Sequence, residues 1–314
     1  MNKIIYYIDV LLAHNVSEEF TYKHETIEKP RVGMIVLAPL RSGEKIGVIT
    51  KVNSVLNDSK IKLKFIKEIS PEYRLNSKMI KFLNWVSNYN LIDRGLVLKM
   101  ILSHSKFYFK KKKTKELTSN IKKNVKAIKL SLEQKRASQD ILKIFQQRNF
   151  KPVLLDGVPG SGKTEVYFDV IKKFIKDGEQ VLIMFPEVSL TGDFVNRIEE
   201  RFGFSPVVWH SKISTAYKTK VLKSIIDGTS QIIIGARSSL FLPYKNLSMI
   251  VLDEEHDSSY KQEEQGIYHA RDMSVVKSSI EDIPIILTSA TPSLETIFNA
   301  VSYTHLTLPT KRIV

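Results

Sequence analysis

The sequence contains no cysteine among its 314 residues, which excludes disulfides and every zinc site built on thiolates. It also lacks an apolar run long enough to cross a bilayer. The opening "MNKIIYYIDVLLAHNVSEEF" places Asp9 inside its apolar stretch, which breaks the pattern of a signal peptide. A cytoplasmic protein with no membrane partner is the expectation. Acids are scarce: 33 Asp and Glu face 48 Lys and Arg, for a net charge of +15. That balance suits a polyanionic partner without saying which one.

What is present is enough apolar residue, 43% of the chain, to build more than one core. The excess positive charge is local. Residues 106 to 129, "KFYFKKKKTKELTSNIKKNVKAIK", hold ten Lys against Glu116 alone, more than half of the net +15. A solvated linker and a segment that tracks a nucleic-acid backbone both fit such a run.

Residues 1–104 carry short β-like runs, including "GMIVLAPL" and "KIGVITKV" separated by "RSGE", read as a hairpin with Gly43 in its turn. "SKMIKFLNWVSNYNLIDRGLVLKMIL" follows with apolar residues at helical spacing. A small β-rich domain closed by helices is expected there, then a Lys-rich linker over 105–129. From residue 130 the pattern is an amphipathic helix, "LSLEQKRASQDILKIFQQ", then apolar strands alternating with helices: "PVLLDG", "QVLIMFP", "PVVWH", "QIIIGA", "SMIVLDE" and "IPIILTSA". Such alternation predicts an α/β lobe over 130–300, a parallel sheet with helices on both faces. The final segment, 301–314, stands outside that alternation.

Chemistry concentrates in two places. "LLDGVPGSGKTEVY" is strand, glycine-rich turn and helix, with Gly157, Gly162, Lys163 and Thr164 in G-x-x-x-x-G-K-[ST] spacing and Gly160 and Ser161 inside the loop. Backbone N–H groups of such a loop point at phosphate oxygens, Lys163 reaches the β and γ phosphates of ATP, and Thr164 offers its hydroxyl to Mg²⁺. "MIVLDEEH" is a buried strand ending in acids at the same sheet edge. Asp253 is assigned to Mg²⁺ and Glu254 to the attacking water. Together they predict a P-loop NTPase.

With those motifs in place the chain resembles superfamily 2 helicases. Asp253, Glu254, Glu255 and His256 are similar to motif II, and "LTSATPSLET", with Ser289, Ala290 and Thr291, to motif III. "FPEVSLT" resembles motif Ia and "GARSSLFLP", with Arg237, the Ib region. The run "DEEHDSSYKQEE...YHARDM" is similar to the PriA-type replication-restart helicases, and the first domain to that family's 3′-end-binding domain.

The resemblance implies a RecA-like lobe and ATP-dependent 3′ to 5′ unwinding of forked and single-stranded DNA. It also implies partners in the primosome and among single-strand-binding proteins. Gln134 would meet adenine. His256 would relay between motif II and Ser289 and Thr291, a packed histidine being the alternative. Phe20, Tyr22 and Lys64 would contact the DNA 3′ end, with Phe20 and Tyr22 fitting equally an ordinary strand. Arg237, Tyr260, Tyr268 and Arg271 would contact DNA along the motor, although the tryptophan common in that family's loop is missing. No winged-helix domain separates the 3′-end domain from the motor. A second lobe and a cysteine-rich zinc module, expected downstream, have no counterpart, so zinc belongs to that missing part. The tail "SYTHLTLPTKRIV" reads as the mark of a truncated chain.

Overall fold

The computed structural model describes residues 3–41, 43–52, 62–104, 107–109, 128–176, 178–186, 192–264, 266–300 and 304–307. The Lys110 to Lys113 run, residues 187–191 of "FPEVSLT" and most of the tail lie outside the described residues. The chain divides into two compact units, Met1–Lys113 with Glu263–Ile267, and Thr114–Gln262 with Tyr268–Val314.

In the first unit β1 (Ile4–Leu12), β2 (Glu19–Thr26), β3 (Met34–Leu40), β4 (Gly43–Val52) and β5 (Glu68–Arg74) form an antiparallel sheet ordered β2-β1-β4-β3-β5. Ile8, Val10 and Leu12 alternate along β1 into a core shared with Val36, Ala38 and Ile49. The hairpin joining β3 to β4 differs from expectation. Leu40 pairs with Gly43, so Gly43 opens the strand, and the left-handed backbone of the turn falls on Arg41, at φ 53°.

Two helices follow. In α1 (Ser77–Asn90), Asn76 caps the first turn by accepting from Met79 N at 2.7 Å, and Met79, Phe82, Leu83 and Val86 form the buried stripe. In α2 (Arg94–Ile101), Gly95 lies so close to the chain after β1 that a Cβ there would sit 2.1 Å from His14 O.

The second unit starts with α3 (Leu132–Ile144), then runs β6 (Pro152–Asp156), α4 (Lys163–Phe174), β7 (Gln180–Met184), α5 (Gly192–Phe202), β8 (Val207–Trp209), α6 (Thr215–Asp227), β9 (Ile232–Gly235) and β10 (Leu247–Leu252). A small hairpin of β11 (Lys261–Gln262) and β12 (Tyr268–His269) leads to α7 (Ala270–Glu281), β13 (Ile285–Ser289), α8 (Leu294–Ala300) and β14 (Thr304–Thr307). Apart from the β11–β12 hairpin the strands are parallel, in the order β14-β6-β13-β10-β7-β9-β8.

All six expected strands are present and form the α/β lobe. Every residue of β10 is buried, as a strand covered on both faces requires. One addition was not expected: Thr304–Thr307, inside the segment set apart as a tail, pairs with β6 as an edge strand. Because β6, β10 and β13 are adjacent and parallel, the residues after their carboxyl ends converge. That convergence builds the site.

Candidate nucleotide site

The loop between β6 and α4 turns through Gly160 and Gly162, at φ 77° and 82°, the left-handed region where a Cβ is disfavoured. At Gly162 the requirement is doubled, since a Cβ would also lie 2.3 Å from Gln134 Nε2. Gly157 N donates to Ser289 O at 3.2 Å, which ties the loop to the end of β13. Lys163 is buried and its ammonium donates to Gly157 O at 2.7 Å. The Ser161 hydroxyl is buried without a hydrogen-bond partner. An ammonium, an unpaired hydroxyl and the N-terminal end of α4 therefore face one small region, a donor set that fits phosphate oxygens.

Gln134 holds this loop. Its Oε1 accepts from Ser131 N at 2.9 Å, half of a capping box on α3, and its Nε2 donates to Ser161 O at 2.9 Å. Both ends of the amide are engaged within the protein.

Asp253, directly after β10, is buried and held by three donors. The Tyr167 hydroxyl donates to its Oδ2 at 3.0 Å, Thr288 donates to its Oδ1, and Glu254 N donates to Oδ1 at 3.1 Å. Burial raises the Asp253 carboxyl above its ordinary range, against the opposing pull of these donors and of Lys163. Burial also drives the Tyr167 phenol well above its ordinary value, reinforced by Asp253, so Tyr167 acts as a donor; Thr164 bonds the same hydroxyl. Thr164, Tyr167 and Asp253 thus form one polar cluster. Nothing in the sequence singled out Tyr167 or Thr288. The signal was there: Tyr167 lies three residues after Thr164 on one helix face, and Thr288 precedes Ser289 on the neighbouring strand.

Glu254 takes a left-handed backbone, φ 48°, which turns its partly exposed carboxylate away from the strand. His256 Nδ1 lies 2.7 Å from Ser289 Oγ and 3.6 Å from Glu254 Oε2. Thr291 does not reach His256; its backbone N donates to Ser289 Oγ at 3.1 Å. Ala290, between them, is half-buried.

Glu255 is fully buried. Its Oε1 accepts from Ser293 N at 2.8 Å, and its Oε2 accepts from Thr296 Oγ1 at 2.8 Å and from Arg271 at 3.4 Å. Arg271 also donates to Ser293 Oγ at 2.6 Å and to Asp272 at 2.9 Å. The Arg271 guanidinium, expected at DNA, here faces a buried acid.

Three other residues expected at DNA have partners inside the protein. Tyr260 is 1% exposed and its hydroxyl donates to Asp253 O at 2.6 Å, leaving no ring face for a base. Tyr268 packs edge-on against Phe241, and burial pushes its phenol up to about 12. Arg237 donates to Ser259 O at 3.0 Å and Lys261 O at 2.6 Å, holding the segment after motif II. In the first unit Tyr22 is a core residue bonded to Pro39 O at 3.0 Å, whereas Phe20 is half-buried and Lys64 exposed. Thr21 donates to Asp9 at 2.7 Å.

Comparison with known families matches residues 131–300 to the DEAD/DEAH box helicase model. The chain belongs to the DEAD/DEAH box helicases. Residues 9–103 of this helicase-family chain also match the 3′DNA-binding domain (3′BD) model of PriA-type proteins. A replication restart protein PriA from Rickettsia felis is 39% identical over 269 residues, 85% of this chain and 40% of that protein. One from Haemophilus influenzae is 46% identical over 161 residues, 51% of this chain and 22% of its own length. The chain thus spans about two-fifths of the length of the Rickettsia relative. A solved structure of RecG bound to a three-way DNA junction aligns with TM-score 0.45 and 18% identity, over 75% of this chain and 30% of that one. The recognition of a PriA-type replication restart protein from its motifs agrees with these matches.

Proposed function

We propose that this chain is the 3′-end-binding and first motor portion of an ATP-dependent 3′ to 5′ DNA helicase. It would act at forked and single-stranded DNA in replication restart, within a primosome and beside single-strand-binding proteins. The observation that carries this reading is the meeting of Lys163, Ser161 and Thr164 with Asp253 and Glu254 at one sheet edge, in a chain that also holds a 3′-end-binding domain. Other superfamily 2 translocases share the first feature but do not account for the second.

ATP with Mg²⁺ would supply the phosphoanhydride bond whose hydrolysis drives movement. The loop amides and the Lys163 ammonium would hold its phosphates, and the Ser161 hydroxyl would gain a partner. Thr164 and Asp253 would hold the ion, with Tyr167 and Thr288 fixing the Asp253 carboxylate. Glu254 would orient the water and take its proton, and His256 would pass the state of the site to Ser289 through their hydrogen bond. Gly157 N extends the same line, since it is bonded to Ser289 O.

The test is a pair of titrations on one variant. Lys163→Ala should lose binding of a fluorescent ATP analogue while retaining affinity for forked DNA. Loss of both together would overturn the division of labour between the two units.

A further inference from the structure

Helix α1 carries an aromatic pair in which Trp85 is half-buried and Tyr89 exposed. Trp85 and Tyr89, one turn apart, stack with ring centroids 4.5 Å apart and planes within 16°. Tyr89 is 63% exposed. A tyrosine so open is not held by burial, so its ring presents a flat apolar face to solvent. On the helical wheel Lys78, Lys81, Trp85, Asn88 and Tyr89 occupy one side of the helix, flanking the buried stripe of Met79, Phe82, Leu83 and Val86. Lys78 and Lys81 are exposed, and α1 contains no acid. One stripe thus combines cations at its first turns with a preformed two-ring stack at its last.

We infer that this stripe is a second, sequence-tolerant binding surface for single-stranded DNA. A base stacks on the open face of Tyr89 as a third layer, and the lysines run beside the backbone phosphates. Stacking needs only a π-face, so every base serves. Prior stacking of Tyr89 on Trp85 fixes the ring before a base arrives, which reduces the ordering the complex demands. The expected 3′-end residues are on other parts of the chain, Phe20 and Tyr22 on β2 and Lys64 ahead of β5. The polyanionic occupant matches the charge of the stripe, whereas a protein partner would find lysines where an apolar interface needs none. This inference rests on the reading of the chain as a DNA-binding protein.

The chain offers its own reporter. It has two tryptophans, and Trp209 is 4% exposed in the second unit, so quenching by a bound base reports on Trp85. Titration with oligothymidylate should quench the emission of a Trp209→Phe variant. Tyr89→Ala should weaken binding about tenfold, while Tyr89→Phe binds as the parent does. An abasic strand of the same length should bind equally to the parent and to Tyr89→Ala, since only the lysine contribution remains. Oligothymidylate binding that ignores Tyr89→Ala and leaves Trp85 emission unmoved overturns the surface and spares the helicase reading. No binding of any strand overturns both. Preference for oligouridylate overturns the assignment to DNA.

Discussion

The Tyr167 hydroxyl, three residues beyond the Thr164 that closes the phosphate loop, donates to Asp253 Oδ2 at 3.0 Å. The two halves of the candidate nucleotide site are therefore joined by a side-chain bond between residues 86 apart in sequence. Removing the hydroxyl leaves a buried carboxylate oxygen short of a donor, which costs about 1–3 kcal/mol. Tyr167→Phe should lower unfolding stability by that order and raise several-fold the Mg²⁺ concentration needed for nucleotide binding. Binding of nucleotide in excess chelator should not change. Calorimetric titration with and without Mg²⁺ checks this, and an unchanged Mg²⁺ requirement removes Tyr167 from the site.

Gln134 performs two separable tasks. Gln134→Glu keeps an acceptor for Ser131 N but sets a carboxylate oxygen against Ser161 O. Gln134→Ala loses both bonds, and with them about 1 kcal/mol of helix capping. The glutamate variant should therefore melt close to the parent yet bind ATP about tenfold more weakly; the alanine variant should lose both. Thermal unfolding and nucleotide titration on the two proteins separate the tasks.

Arg271 answers a buried charge. Removing the cation leaves the buried Glu255 side chain without its ion-pair partner, so Arg271→Ala should destabilise by about 3 kcal/mol. Adding Glu255→Gln to that variant should restore much of the loss, because the charge leaves with its partner. Urea unfolding of the single and double variants measures this. A stable Arg271→Ala protein with weakened DNA binding alone would return the residue to the DNA surface.

Lys277, 1% exposed on α7, has its pKa lowered by burial to about 8, despite the opposing pull of Glu281. Its unfolded value is near 10.5. Between pH 8 and 10.5 the unfolded chain therefore binds more protons, and stability rises with pH across that window; the contribution is lost as pH falls through about 8. Lys277→Met should be more stable than the parent at pH 7. The gap should narrow towards pH 10, as followed by denaturant midpoints at each pH.

The motor lobe was legible because buried parallel strands are written as unbroken apolar runs. "SMIVL" and "IPIIL" need no partner to be recognised, and a phosphate loop announces itself through glycines whose backbone angles other residues resist. The placement of Tyr260, Tyr268 and Arg271 was not legible. An aromatic or arginine in a loop after an acidic strand reads the same whether it faces solvent or the protein. Here the aspartate carbonyl, the Phe241 ring and a buried glutamate claim them first. The Gly43 turn failed for a related reason: strand pairing set the register, and the left-handed residue became Arg41.

The amino-acid order by itself determined the fold class, the six central strands, the glycine-rich loop and the acids after β10, since each depends on local pattern. Only the tertiary structure decided which side chains serve that site. Tyr167, Thr288 and Glu255 acquire their roles from neighbours 35 to 86 residues away. A hydrogen bond to a buried carboxylate is a relation between strands and helices, and no window of sequence contains both of its ends.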